Sequence, residues 1–114
     1  DSFEVAKSLG IRISRSRICG GGAKSALWKQ MMADILNLPL ESLVSEQGPG
    51  MGGAMLAMVA CGTYPTVEAV CKQMVHVADT IVPNKERAEL YDKRYREFQK
   101  IYPSCKELFA QLAE

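Results

Sequence analysis

A run of three glycines followed by Ala-Lys-Ser is the part of this sequence whose chemistry is easiest to interpret. The segment GGGAKS occupies residues 20–25, after a stretch typical of a β-strand and before a pattern typical of a helix. Glycines leave room for a ligand, and a helix N-terminus offers free N–H groups and a positive dipole end. It is not a Walker A loop, because Ala23 separates the glycines from Lys24. The segment indicates phosphate or ribose binding, with a ligand-free tight turn as the alternative.

A second glycine cluster, GPGMGG at residues 48–53, formally matches the dinucleotide-binding pattern G-x-G-x-x-G. Glu68, 20 residues beyond Gly48, would be the acidic residue of that pattern. Two features argue against this interpretation. Pro49 removes an N–H group from the turn, and residues 66–77 have helical spacing where the pattern needs a strand.

Catalytic and metal-binding constellations are not evident in the sequence. His76, the single histidine, lies in a mostly apolar stretch with helical spacing and is interpreted as a packed residue rather than a general base. Asp34 and Asp79 have no partner that the sequence identifies. The four cysteines form no CxxC pair and have no metal-like spacing. We therefore predict no catalytic residue and no metal ligand among these residues.

The composition of the chain argues against several classes of protein. Its 114 residues include 14 Lys and Arg and 13 Asp and Glu, for a net charge of +1. This balance predicts neither a nucleic-acid partner nor a membrane partner. Thiols without a pairing pattern are typical of a reducing compartment, so a cytoplasmic location is expected.

Apolar spacing predicts the order of the helices and strands. A helix tail ends at Gly10, an extended segment covers residues 11–19, and a helix covers residues 23–38. The remaining predictions are a strand at 40–45, a buried helix at 51–61, a helix from 67 to about 77, and a helical tail at 84–114 that breaks near Pro103. This alternation favours an α/β fold with two short parallel strands and about five helices. Two strands are too few for an independent sheet, so we expect a piece of a longer chain.

Several short motifs, in a fixed order, resemble the xylulokinases of the FGGY family of carbohydrate kinases. The GGGAKS segment continues with Trp28, Gln30 and Ala-Asp-Ile at 33–35, similar to the family's GGGAKS-x-x-W-x-Q-x-x-A-D-I segment. Residues 46–57 are similar to its E-x-G-x-x-x-G-A-A-x-L-A helix. The end of the chain is similar to its P-N…Y…Y…Y-P tail, through Pro83, Asn84, Tyr91, Tyr95, Tyr102 and Pro103. The resemblance covers essentially the entire chain.

The resemblance implies a partial actin-like ATPase (ribonuclease-H-like) domain. Residues 1–114 would form the C-terminal part of the second, nucleotide-binding domain, with 84–114 as its helical tail. Members of the family transfer the γ-phosphate of ATP, with Mg²⁺, to a sugar hydroxyl, here expected to belong to D-xylulose. The catalytic base, the pentulose site and the magnesium site would lie in other parts of the kinase. This chain is therefore expected to be inactive alone.

By the same resemblance, the nucleotide would contact five residues of the first glycine segment, which are Gly21, Gly22, Ala23, Lys24 and Ser25. The two glycines would admit ATP against the backbone. Lys24 would offer a positive charge, and Ser25 would offer a hydroxyl.

Two other interpretations stay open beside the xylulokinase one. A non-enzymatic helical interaction module, with glycine segments that serve only as turns, would bind no nucleotide. A related kinase for ribulose, gluconate or glycerol would share the fold, because the sugar-reading residues are not in this sequence. An incomplete sheet also predicts exposed edges and uncovered apolar faces, and hence self-association, as a homo-oligomer, or marginal stability.

Overall fold

A computed structural model of the chain describes residues 1–45 and 48–112. The elements follow the order α1 (Ser2–Ser8), β1 (Ser16–Ile18), a 3-10 turn (Gly21–Lys24), α2 (Ala26–Leu36), β2 (Leu40–Leu43), α3 (Gly48–Ala60), α4 (Val67–Met74), β3 (Val77–Ile81), α5 (Lys85–Phe98) and α6 (Ile101–Leu112). This mixture of helices and strands confirms the predicted α/β class.

The described strands form one mixed sheet in the order β1-β2-β3. β1 and β2 run parallel, with Arg17 opposite Glu41, which confirms the predicted parallel pair. β3 pairs with β2 in the antiparallel direction, with Ile81 opposite Leu40. The first three residues of the central strand, β2, are buried. β2 therefore anchors β1, the strand that leads into the first glycine segment.

β3 is absent from the sequence-based prediction, which assigns residues 67–77 to one helix. In the structure α4 ends at Met74, and β3 begins at Val77. Four of the five β3 residues are exposed, so the strand lacks the alternating burial that identifies a strand from sequence. His76 is exposed between the two elements, where Nε2 lies 2.8 Å from the carbonyl oxygen of Gln73. The prediction of a packed helical histidine was therefore wrong.

The ends of α2 are set by residues with clear conformational preferences. Ser25 is the N-cap, since its backbone is extended and its Oγ accepts a hydrogen bond from the N–H of Trp28 at 3.2 Å. Asn37 follows the helix in the left-handed region with φ of 48°, as is common just beyond a helix end. The helix begins later than predicted because residues 21–24 form a separate 3-10 turn.

The helical tail divides into α5 and α6, as predicted, but the break falls before Pro103. α5 ends at Phe98 and α6 begins at Ile101. Pro103 is thus the third residue of α6, where proline is tolerated because the first N–H groups of a helix have no intrahelical acceptor. Asn84 caps α5, and its Oδ1 accepts a hydrogen bond from the N–H of Arg87 at 3.0 Å.

The buried apolar core is small, and most of it surrounds α2. It consists of Ala23, Ala33, Leu38, Leu40, Val70 and Ala88. The Cα radius of gyration is 18.6 Å, whereas a compact domain of this length would have about 13 Å. Large apolar side chains of α3 and α6 stay exposed, including Leu56, Phe109 and Leu112. Within the described residues, no helix combines the length and apolar character of a membrane span.

Candidate nucleotide-binding site

The first glycine segment forms a compact turn between β1 and α2. β1 ends at Ile18, and the 3-10 turn covers Gly21–Lys24. Two backbone hydrogen bonds close the turn. The N–H of Ala23 donates to the carbonyl of Gly20 at 3.0 Å, and the N–H of Ser25 donates to the carbonyl of Gly22 at 3.2 Å. The predicted strand–turn–helix arrangement is therefore present.

The three glycines of the turn have different physical roles. Gly20 adopts φ of 84° and ψ of −169°, a backbone region that is essentially restricted to glycine. A Cβ on Gly22 would lie 2.7 Å from both Cδ1 and Nε1 of Trp28. A Cβ on Gly21 would meet nothing within 4 Å, and its φ is not in the left-handed region. At Gly21, therefore, neither a steric contact nor the backbone conformation requires a glycine.

These roles refine the predicted set of site residues. Gly22 was expected to make room for a ligand, but its missing side chain is already explained by the edge of the Trp28 indole. Gly20 was not among the predicted residues, although it sets the conformation of the turn. Space beside the backbone is open at both Gly20 and Gly21, and a ligand can approach there without displacing a protein side chain.

The last three predicted residues lie together at the start of α2. Ala23 is 3% exposed, so its side chain belongs to the core and is not available to a ligand. Lys24 ends the 3-10 turn and is exposed. The Oγ of Ser25 accepts the capping hydrogen bond from Trp28, which leaves its hydroxyl proton free to be donated to a phosphate oxygen. The turn can thus present backbone N–H groups, an ammonium and a hydroxyl donor to an anion.

A buried carboxylate holds α2 in place against α5. Asp34 is 1% exposed, and its Oδ1 accepts hydrogen bonds from Nε2 of Gln30 at 2.8 Å and from the backbone N–H of Asn84 at 2.7 Å. Arg87 lies 3.7 Å from the other carboxylate oxygen. Gln30 also donates to the carbonyl of Val82 at 3.1 Å. This network fixes the helix whose N-terminus forms the candidate site.

A second ion-pair cluster fixes β1, on the other side of the turn. Glu41 accepts hydrogen bonds from Arg15 at 3.1 Å and from Arg17 at 3.3 Å. The bond from Arg15 is the largest cause that holds the pKa of the Glu41 carboxyl below its ordinary value of 4.5, although burial opposes it. Since Arg17 is the register partner of Glu41, the pair also favours the observed pairing of β1 with β2.

The second glycine cluster is helical and does not form a dinucleotide-binding turn. Residues 48–53 lie within α3, and Pro49 occupies an early position where a helix tolerates proline. Glu68 lies in the first turn of α4, where hydrogen bonds from its own backbone N–H and from the hydroxyl of Thr66 lower the pKa of its carboxyl. The first glycine segment is therefore the better candidate for a nucleotide site.

The described residues form a cavity at the opposite end of α2 from the turn. This cavity, of about 500 Å³, lies among α1, α5 and the far end of α2, where Phe3, Ile35 and Tyr95 line it. That end is about 16 Å from the turn, the length of an 11-residue helix. Within the described residues, no group of three or more His, Cys, Asp or Glu side chains could hold a metal ion.

Comparison with known proteins identifies the family. The profile of the C-terminal domain of the FGGY family of carbohydrate kinases matches residues 2–61, which is just over half of the chain. This chain belongs to the FGGY family. The matched region contains β1, the glycine turn, α2 and β2, so the candidate site lies within the shared domain.

The relatives of this FGGY chain are sugar kinases and related enzymes. A xylulose kinase from Staphylococcus epidermidis is 36% identical over 112 residues, which cover 98% of this chain and 23% of that kinase. An autoinducer-2 kinase from Enterobacter is 29% identical over 99 residues, covering 87% of this chain and 19% of that kinase. This FGGY chain therefore spans less than a quarter of the length of these relatives.

Solved structures show the same fold. The crystal structure of ligand-bound xylulose kinase from Lactobacillus acidophilus matches with a TM-score of 0.81, covering 97% of this FGGY chain and 23% of that one, at 20% identity. The likeness confirms that the chain forms part of an actin-like ATPase fold, as expected.

The sequence locates the glycine turn but leaves three contributors without a role, which are Gly20, Trp28 and Asn84. Trp28 and Asn84 enter the sequence analysis only as motif positions, and the structure gives them contacts with Gly22 and Asp34, respectively. Gly20 could have been found from its place at the end of a strand, where a positive φ is common for glycine.

Proposed function

We propose that this chain forms the nucleotide-binding portion of an ATP-dependent kinase that phosphorylates D-xylulose to D-xylulose 5-phosphate. The observation that carries this proposal is the open backbone at Gly21, beside the N-terminus of α2, in a chain of the FGGY family. Helix N-termini and exposed backbone N–H groups are natural partners of phosphate groups. The turn would hold the adenosine end and inner phosphates of ATP.

In this proposal the residues of the turn position the nucleotide and stabilise the charge of its phosphates. Phosphoryl transfer depends mainly on alignment of the reacting groups and on neutralising the phosphate charge. In this proposal the ammonium of Lys24 and the hydroxyl proton of Ser25 hold phosphate oxygens, while Gly21 lets the nucleotide lie against the backbone. The sugar and the base that accepts its hydroxyl proton would be provided by other parts of a longer kinase.

Magnesium is expected as a companion of ATP rather than as a ligand of this chain. When bound, Mg²⁺ neutralises phosphate charge during transfer. The described residues lack an acidic cluster that could hold it. In this proposal these residues contact the nucleotide, and the ion would be held by the phosphates and by other parts of the kinase.

The sugar is the least constrained part of the proposal. D-xylulose follows from the GGGAKS motif and from relatives described as xylulose kinases. The autoinducer-2 kinase relative leaves a different phosphate acceptor as an alternative. Ribulose, gluconate and glycerol, the acceptors expected for related FGGY kinases, stay alternatives as well. A longer kinase that contains this sequence, assayed with each of these compounds, is expected to have the highest kcat/KM with D-xylulose. A higher kcat/KM with another acceptor would replace D-xylulose as the proposed substrate but would leave the proposed kinase activity in place.

A non-enzymatic helical module is the competing class of function, and the exposed apolar faces of α3 and α6 are the observation that favours it. The two classes differ in one property, because only the kinase interpretation requires this chain to contact a nucleotide. If the chain binds no nucleotide but buries α3 or α6 against a partner protein, the result would support the helical module instead.

Nucleotide binding is tested by calorimetric titration of the chain with ATP and with NAD. A Gly21→Val variant is expected to weaken ATP binding by about 10-fold or more, equivalent to about 1.4 kcal/mol, because the side chain would occupy the open space. Gly53→Val is the matched control, since Gly53 is exposed on α3 and its added Cβ also meets nothing within 4 Å. Equal ATP affinity in both variants would contradict the proposed site.

A further inference from the structure

Trp28 presents two different surfaces at the start of α2. One edge of the indole, formed by Cδ1 and Nε1, lies so close to Gly22 that a Cβ there would be 2.7 Å away. The residue nevertheless remains 50% exposed. The indole therefore offers an exposed aromatic surface directly beside the open glycine turn.

The position of Trp28 is fixed relative to the turn at two points. Its backbone N–H donates to the Oγ of Ser25 at 3.2 Å, and its indole edge packs on the backbone of Gly22. A side chain that is held in this way offers its exposed surface in a defined orientation. It would lose little conformational freedom when a ligand packs against it, which favours tight contact.

The chemistry around Trp28 matches a ligand with one charged end and one flat apolar end. Lys24 and Ser25 provide a cation and a hydroxyl, and Trp28 provides an aromatic surface one turn along the helix. We propose that the exposed surface of Trp28 contacts the purine ring of the bound nucleotide and gives the site its preference for a base over a bare polyphosphate. This inference rests on the proposed function, since it needs a nucleotide at the turn.

The contact is measurable because the sequence contains one tryptophan. Tryptophan emission of the chain therefore reports on Trp28 alone. ATP is expected to quench this emission with the same midpoint as the calorimetric titration, because bases that stack on an aromatic side chain alter its electronic environment. Tripolyphosphate, which has the charge and no base, is expected to leave the emission unchanged.

Two substitutions separate a base contact from a purely structural role. Trp28→Ala is expected to raise the Kd for ATP by about 10-fold, while Trp28→Phe, which keeps an aromatic ring, raises it by less than about 3-fold. Neither should change the Kd for tripolyphosphate. Leu27→Ala is the control, because Leu27 is the preceding residue and is 71% exposed. Circular dichroism of each variant checks that the helices are retained.

Each outcome has a distinct meaning. Calorimetric binding of ATP without a change in emission would overturn the Trp28 contact and leave the nucleotide site in place. Equal weakening of ATP and tripolyphosphate in Trp28→Ala would assign the residue to supporting the turn, which also overturns the inference. The absence of both heat and a change in emission with ATP at millimolar concentration would contradict the proposed function itself.

Discussion

The carboxylate of Asp34 and the backbone N–H of Asn84 are joined by a 2.7 Å hydrogen bond that links α2 to the start of α5. The two residues are 50 positions apart in the sequence. Gln30 shares the same carboxylate oxygen from one turn earlier in α2. The polar residues of the two family motifs thus form a single network, whose effect is to hold the helix that carries the glycine turn.

Loss of the Asp34 carboxylate is expected to destabilise the fold. Asp34→Ala leaves the part-buried N–H of Asn84 without its acceptor and leaves the Gln30 amide with only the carbonyl of Val82, so the free energy of unfolding should fall by about 1–3 kcal/mol. Asp34→Asn keeps one acceptor oxygen and should cost less. Urea unfolding measures both values.

The control for this experiment is Asp92→Ala on α5. Asp92 pairs with Arg96 at 2.7 Å, and both side chains are largely exposed. Exposed pairs of this kind contribute less than about 1 kcal/mol. If the two alanine variants lost similar free energy, the buried network would not have the role assigned to it.

Gly20 and Gly21 are expected to respond differently to the same substitution. Gly20→Ala forces a side chain into a backbone region that favours glycine, and the free energy of unfolding should fall by about 1–3 kcal/mol. Gly21→Ala should change it by less than about 0.5 kcal/mol, because its Cβ meets nothing. Thermal unfolding compares the two. A larger loss of unfolding free energy in Gly21→Ala than in Gly20→Ala would contradict the roles assigned to these two glycines.

The sequence predicted the glycine turn but did not predict the contacts that hold the turn in place. Glycine content and helical spacing predicted that residues 20–25 join a strand to α2, because both signals are local. The Asp34–Asn84 bond depends on how α5 packs on α2, which no local pattern specifies. The sequence does not distinguish Gly22 from Gly21, because the difference between them depends on where the Trp28 indole lies. β3 was missed for a similar reason, since its pairing with β2 rather than an apolar pattern of its own makes it a strand.

Acidification is expected to weaken the link between β1 and β2. The pKa of the Glu41 carboxyl is lower in the folded chain than its ordinary value of 4.5, so the folded state binds fewer protons than the unfolded state. The stability that Glu41 contributes is therefore present above about pH 4.5, and it is lost as the pH falls through the folded-state pKa.

Glu41→Gln tests this dependence, because it removes the titrating group. The variant should lose less stability than the original chain as the pH falls below about 4.5, when urea unfolding is measured across that range. Arg15→Gln removes the main cause of the lowered pKa, so it should also reduce the loss of stability per pH unit in this range. If both variants lose stability with falling pH as steeply as the original chain, this ion pair is excluded as a source of acid sensitivity.

Self-association is expected from the apolar surface that the fold leaves uncovered. Leu108, Phe109 and Leu112 on α6 are each at least half exposed, and large exposed apolar patches favour association. Light scattering after size-exclusion chromatography should show a mass that rises with concentration, and Phe109→Glu should lower it. A monomer whose melting temperature is independent of concentration would contradict this expectation.

The central claim is that the first glycine turn contacts the nucleotide, and amide NMR of the chain during an ATP titration tests it most directly. The largest shift changes are predicted at residues 20–25 and at the indole N–H of Trp28, with small changes in α3. Changes concentrated in α3, or in the cavity beside α1 and α5, would contradict the claim. So would an unchanged spectrum at millimolar ATP.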